Sequence, residues 1–156
     1  MQKILLIALI FPLLTFSQAN KLLRQGLRST NLNEQIELFT QVLELDPKNL
    51  DAYFHRGLAK HNLQNYPAAI LDYTKVIFYK PDADTYYNRG NSKFALQDFE
   101  GAKEDYTKAL ELNKGLTDAM FNLGLTQNYL GEFKEAIVNF NKITNAFPGA
   151  SNAYVQ

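Results

Sequence analysis

The fold is decided by three stretches of the chain that can be laid over one another. They are Asp51–Pro81, DAYFHRGLAKHNLQNYPAAILDYTKVIFYKP, then Asp84–Lys114, DTYYNRGNSKFALQDFEGAKEDYTKALELNK, and Asp118–Pro148, DAMFNLGLTQNYLGEFKEAIVNFNKITNAFP. Corresponding residues recur every 33 or 34 positions, a period that signals an array of small structural repeats. Gly57, Gly90 and Gly124 form one column, Ala69, Ala102 and Ala136 a second, and Tyr73, Tyr106 and Phe140 a third. Tyr66, Phe99 and Phe133 align, as do Leu63, Leu96 and Leu130, while Pro47, Pro81, Lys114 and Pro148 mark the repeat ends. The one-residue difference in period falls between Pro81 and Gly90, in a turn, where a change of length is tolerated.

Within each stretch the apolar residues follow helical spacing twice over. Tyr53–Leu63 and Ala68–Tyr79 each place small and aromatic residues on one face, which predicts two amphipathic helices per repeat. Breaks are expected at Gln64-Asn65, Gln97-Asp98 and Gly131-Glu132. Asp51, Asp84 and Asp118 stand where a carboxylate accepts the unpaired amide protons of a first helix. Pro67 suits a first helical turn, and the prolines at the repeat ends disfavour helix in the residue before them.

The order aromatic, Arg or Leu, Gly, then Leu, then aromatic, then Ala, then aromatic, then Pro resembles the tetratricopeptide repeat, and it covers Leu50 to Pro148 in three copies. The resemblance implies an all-α, right-handed α-solenoid of antiparallel helix pairs. Glycine and alanine let the two helices of a pair approach closely, and aromatic side chains fill the gap to the next pair. A single pair leaves one face bare, so about three repeats are needed for stability and the end units deviate. The expected division is repeats at 50–82, 83–116 and 117–150, a degenerate leading repeat or cap at 20–49, and the start of an incomplete helix at 151–156. In the leading unit Phe39, Val42, Leu45 and Pro47 match their columns, but Gln35 replaces the alanine and Leu23 falls in the glycine column, with Gly26 three residues late.

The chain opens differently. Lys3 precedes an apolar run from Ile4 to Phe16, suited to the core of an export signal and short of the roughly 20 residues that span a bilayer. A leader of residues 1–17, or up to 19, places the protein in the periplasm or the medium and leaves no stable membrane span after cleavage. Two bonds suit the peptidase, Ser17–Gln18 and Ala19–Asn20, and a terminal Gln18 can cyclise. No cysteine is present for lipid attachment, disulfides or thiolate chemistry.

The resemblance also implies where a partner would bind, since family members expose the first helices on a concave inner wall. The residues carried onto that wall are Phe54, His55 and Leu58, then Tyr87, Asn88 and Asn91, then Phe121, Asn122 and Leu125. Chaperone-binding members hold lysine and arginine there to clamp a terminal carboxylate. This chain holds Phe54, Tyr87 and Phe121 instead, so a neutral or aromatic-bearing protein or peptide segment is the expected partner. The runner-up is self-association as a homodimer, or assembly into an envelope complex on a membrane-bound partner, through the last second helix, with Ile137, Phe140 and Ile143 uncovered.

One correlation runs inside the sequence. Arg56 accompanies Asp72 and Arg89 accompanies Asp105, whereas the next copy has Leu123 with Asn139. Charge lost on both sides together indicates an Arg–Asp pair joining the helices of one repeat. Other chemistry is missing. Sixteen basic and sixteen acidic residues are scattered along the chain, with no footprint for nucleic acid. His55 and His61 are six apart, about 240° around a helix, and cannot share a metal. Asp82 with Asp84 and Glu104 with Asp105 read as solvated carboxylates, so no enzyme, cofactor or metal is expected.

Overall fold

The computed structural model describes the backbone of residues 2–146 and the side chains of residues 15–145. Within these bounds it holds helices only: α1 (Gln2–Arg28), α2 (Leu32–Leu45), α3 (Leu50–Asn62), α4 (Tyr66–Tyr79), α5 (Ala83–Ala95), α6 (Phe99–Leu112), α7 (Thr117–Tyr129) and α8 (Phe133–Ala146). The fold class is the expected all-α array of helix pairs. The expected leader lies mostly outside the described side chains, and Pro148 and the segment 151–156 lie outside the described residues altogether. Two compact units divide the chain, residues 1–76 and residues 77–156.

The turn inside each pair is built the same way. At Gln64 the backbone is left-handed (φ 61°), at Gln97 likewise (62°), and Gly131 has φ 77°. The amide of Asn65 donates to the Lys60 carbonyl and that of Gln64 to the His61 carbonyl, both at 2.8 Å, which closes the end of α3. Asp98 and Gln97 repeat the pattern at the end of α5, Glu132 and Gly131 at the end of α7. The predicted breaks are therefore helix caps. The second helix starts at once from Asn65, Asp98 or Glu132, and Pro67 sits in the first turn of α4.

The aspartates expected to cap the first helices are displaced. Asn49 and Asp82 are the N-caps of α3 and α5, accepting from the amides of Ala52 and Thr85, and α7 starts from Leu116 with no side-chain cap. Asp51, Asp84 and Asp118 lie in the first turns, where their charge faces the positive end of the helix dipole.

Unit 1 packs α1 on α2 and α2 on α3, around Ala19, Phe39, Val42, Leu43 and Ala52. A Cβ on Gly26 would lie 2.6 Å from the Phe39 ring, and one on Gly57 would lie 2.9 Å from the Tyr73 ring. Unit 2 packs α5 on α6, α6 on α7 and α7 on α8, with Ala102, Tyr106, Ala109, Ala119 and Leu123 at its centre. Gly90 there rests on Tyr106 and Gly124 on Phe140, where an added Cβ would in each case lie 2.8 Å from the ring.

Gly26, and not Leu23, thus holds the glycine place of the leading pair. Gly26 and Phe39 are thirteen residues apart, whereas Gly57 and Tyr73 are sixteen apart, because α1 ends two residues after its glycine and α3 five, the connection being three residues long in both pairs. Gln35, in the alanine column, instead donates from Nε2 to the Ser29 carbonyl at 2.6 Å and ties down that short connection.

A buried polar cluster fastens the helices of each downstream pair. Arg56 grips Asp72 with two donors, Nε to Oδ2 at 2.9 Å and Nη2 to Oδ1 at 2.7 Å, within one pair as the sequence correlation indicates. Arg89 grips Asp105 in the same way at 2.8 and 2.7 Å. Asp105 is 2% exposed, so it is no solvated carboxylate. A second cation joins each aspartate, Lys60 at 2.8 Å and Lys93 at 2.9 Å, which the sequence reading missed. Arg56 also donates to Thr40 Oγ1 of α2. In α7 and α8 no carboxylate takes part: Leu123 replaces the arginine, Asn139 donates to Gln127 Oε1 at 2.8 Å in a buried bond, and Lys142 Nζ reaches Asn139 Oδ1 at 3.5 Å.

Removing one partner of such a buried pair leaves a charge without its counterpart. Asp105→Asn is expected to lower the unfolding free energy by about 3 kcal/mol. A double-mutant cycle of Arg89→Leu and Asp105→Asn, read by urea unfolding, should give a coupling of roughly 1–3 kcal/mol, and additive losses would refute the cluster.

Candidate functional site

The residues that the tetratricopeptide resemblance places on the inner wall all lie on first helices, and all nine are half-buried. In unit 1, Phe54 leans on Tyr73 with ring centres 6.0 Å apart. His55 stacks on Phe39 at 5.7 Å and meets the edge of Phe54 at 5.3 Å. Desolvation by burial lowers the His55 pKa below the ordinary imidazole value, and the nearby Asp51 carboxylate partly offsets this. The imidazole therefore belongs to an aromatic cluster. Leu58 lies one residue beyond Gly57 on the same helix.

Unit 2 has a different wall. Tyr87 tilts over Tyr106 at 6.1 Å, and Phe121 tilts over Phe140 at 5.7 Å. Asn88 spends its Nδ2 on the Asp84 carbonyl of its own helix at 2.8 Å. Asn91 and Asn122 are brought together from α5 and α7, with Asn122 Nδ2 donating to Asn91 Oδ1 at 2.9 Å. The hydroxyl of Tyr106 donates to the same oxygen at 2.8 Å. Asn91 Nδ2 and Asn122 Oδ1 have no partner among the described residues, so the pair keeps a donor group and an acceptor to offer. Leu125 takes the place of Asn91 in the following helix, above Phe140, which has no hydroxyl to satisfy.

The repeat columns carry this correlation: Asn91 goes with Tyr106, and Leu125 goes with Phe140. Leu58 with Tyr73 breaks the rule. The Tyr73 hydroxyl is fully buried and finds no hydrogen-bond partner among the described residues. Burial pushes both phenols upward, Tyr73 and Tyr106 alike. An orphaned hydroxyl contributes nothing and still carries its desolvation penalty. Tyr73→Phe is accordingly expected to leave stability unchanged or raise it, while Tyr106→Phe should cost about 1 kcal/mol, both read by chemical denaturation.

The outer edges of the helix pairs carry apolar surface too. Phe99 and Tyr129 stack face to face at 4.8 Å, with Phe94 edge-on to both, and Tyr129 is exposed. On α8, Phe133, Ile137 and Val138 are exposed. Phe140 and Ile143, which the sequence reading grouped with Ile137 as uncovered, are not exposed: Phe140 lies beneath Gly124, and Ile143 is 9% exposed. No group of histidine, aspartate and glutamate suited to a metal occurs among the described residues. Among the described residues no helix is long and apolar enough to cross a membrane.

Comparison with known proteins agrees with the fold of helix pairs. Residues 38–70, 83–116 and 118–150 each match a tetratricopeptide repeat family model. No curated protein sequence matches the chain. Among solved structures, one of MamA superposes with a TM-score of 0.74 at 27% identity, over 79% of this chain and 72% of that one. A MamA fragment from Desulfovibrio magneticus RS-1 gives 0.78 at 21% identity, over 88% and 78%, and shows the fold alone. YrrB, a TPR protein with an unusual peptide-binding site, gives 0.71 at 26% identity, and the match spans 78% of this chain and 63% of YrrB. Helix pairs seated glycine on ring, three family matches and these superpositions agree: the chain belongs to the tetratricopeptide repeat family, whose members are typically non-catalytic scaffolds for protein or peptide partners.

Proposed function

We propose that this protein is an exported, non-catalytic scaffold that holds an extended, uncharged peptide segment against the first helices of its repeats. The Asn91–Asn122 pair carries the reading, because its open donor and acceptor match the C=O and N–H of one peptide unit. Tyr87 and Phe121 flank the pair in sequence and offer half-buried aromatic surface for side chains of the segment. The inner wall lacks the cations of a carboxylate clamp, and the even charge balance of the chain gives nucleic acid no purchase. Export rests on the basic and apolar opening of the chain, with the periplasm or the medium as its destination. YrrB supplies a precedent for peptide binding on this fold.

The test uses the natural variation of the repeats. Asn91→Leu with Tyr106→Phe copies the Leu125 and Phe140 combination already present one repeat later, so helicity and cooperative unfolding should survive. Affinity for uncharged, aromatic-containing peptides, read by fluorescence anisotropy across a peptide array, should fall roughly tenfold, as expected for one or two lost hydrogen bonds. Equal binding by both proteins removes the asparagine pair from the site.

A second reading has its own observation. Lys103 of α6 reaches across to Glu132 at the start of α8, 2.7 Å away, and Ile137 holds the same column in α8 with 57% of its surface exposed. A second copy docking on Phe133, Ile137 and Val138 would cover that face. Light scattering should then show a concentration-dependent dimer that Ile137→Glu abolishes, and a monomer at every concentration excludes it.

A further inference from the structure

The start of the mature chain can be read from the repeat frame. In the three downstream pairs the first helix begins from a cap residue eight positions before the glycine that rests on its ring: Asn49 for Gly57, Asp82 for Gly90, Leu116 for Gly124. Gly26 rests on Phe39 in the same manner. Eight positions before Gly26 stands Gln18. The corresponding cap place of the leading pair is therefore Gln18, although α1 continues through it toward the apolar opening of the chain.

Packing gives the same answer independently. Phe16, Ser17 and Gln18 are exposed, whereas Ala19 is 1% exposed and belongs to the core with Phe39, Val42, Leu43 and Ala52. Ala19 is the first buried residue among the described side chains. Of the two bonds that small residues make acceptable to a signal peptidase, Ala19–Asn20 discards this core methyl together with the cap position. Cleavage at Ser17–Gln18 discards neither.

We propose that the leader is removed at the Ser17–Gln18 bond and that the new terminal Gln18 closes into pyroglutamate. The inference rests on the export reading. Hydrolysis by signal peptidase adds one water across the amide, leaving a carboxylate on Ser17 and an amine on Gln18. The unprotonated amine then attacks Cδ of its own side-chain carboxamide. A C–N bond forms, the Cδ–Nε2 bond breaks, and one ammonia leaves, with no change of oxidation state and no further reactant. The product suits its position. A free ammonium at the first turn of α1 would oppose the helix dipole, and the lactam removes that charge while keeping a carbonyl oxygen at the helix start.

The test is the intact mass of the protein. The full chain is produced in bacteria, the cells are fractionated, and the exported protein is weighed before any digestion, then sequenced from its N-terminus. The expected result is a chain beginning at Gln18, lighter by one ammonia, blocked to stepwise degradation and opened by pyroglutamyl aminopeptidase. An exported chain beginning at Asn20 overturns the assigned bond and leaves export standing. An exported chain with an unmodified Gln18 overturns the cyclisation. A chain that keeps Met1 and stays in the cytosol overturns this inference and the export reading together.

Discussion

The structure depends on how closely two helices of a pair can approach, and that distance is set where a glycine lies flat on an aromatic ring. Gly26 on Phe39, Gly57 on Tyr73, Gly90 on Tyr106 and Gly124 on Phe140 are four cases of one contact. No side chain fits between, since a Cβ would come within 2.6 to 2.9 Å of ring carbons. With the spacing fixed, the alanines at 52, 102, 109 and 119 can be wholly buried, and the polar cluster built on the residues next to the glycine and the ring closes at hydrogen-bond distance. The ring does a second task in unit 2. Its outer end carries the Tyr106 hydroxyl, which anchors Asn91 and so positions the open amides of the inner wall.

Much of this was legible because repetition supplies its own alignment. The glycine, alanine and aromatic columns identified the helix pairs, and the joint loss of Arg and Asp at Leu123 and Asn139 identified a contact within a pair. What escaped the sequence did so for physical reasons. Gly26 was misplaced because α1 ends three residues sooner after its glycine than α3 does, and a fixed period cannot register a deletion inside one unit. Lys60 and Lys93 were missed because a lysine on an amphipathic helix ordinarily reads as solvated, although Gln127 in the same column was the clue. The caps moved from Asp51 and Asp84 to Asn49 and Asp82 because an acidic residue is favourable in the first turn as well as at the cap.

The inner wall illustrates a different limit. Spacing located Asn88, Asn91 and Asn122 together but not what each does. Asn88 turns back on its own helix, whereas Asn91 and Asn122 meet across two helices. Only side-chain geometry separates an amide that has closed on its own backbone from one that still has valence to offer.

The polar clusters have one more implication, for how such a chain can be rebuilt. Arg56 and Lys60 hold Asp72 inside one pair, as Arg89 and Lys93 hold Asp105, while Gln127 and Asn139 meet through their amides. Each buried aspartate finds its cations inside its own pair, so moving a whole pair keeps the cluster intact, whereas exchanging one helix alone would strand a buried ion. The natural unit of drift, shuffling or grafting in this protein is therefore the helix pair.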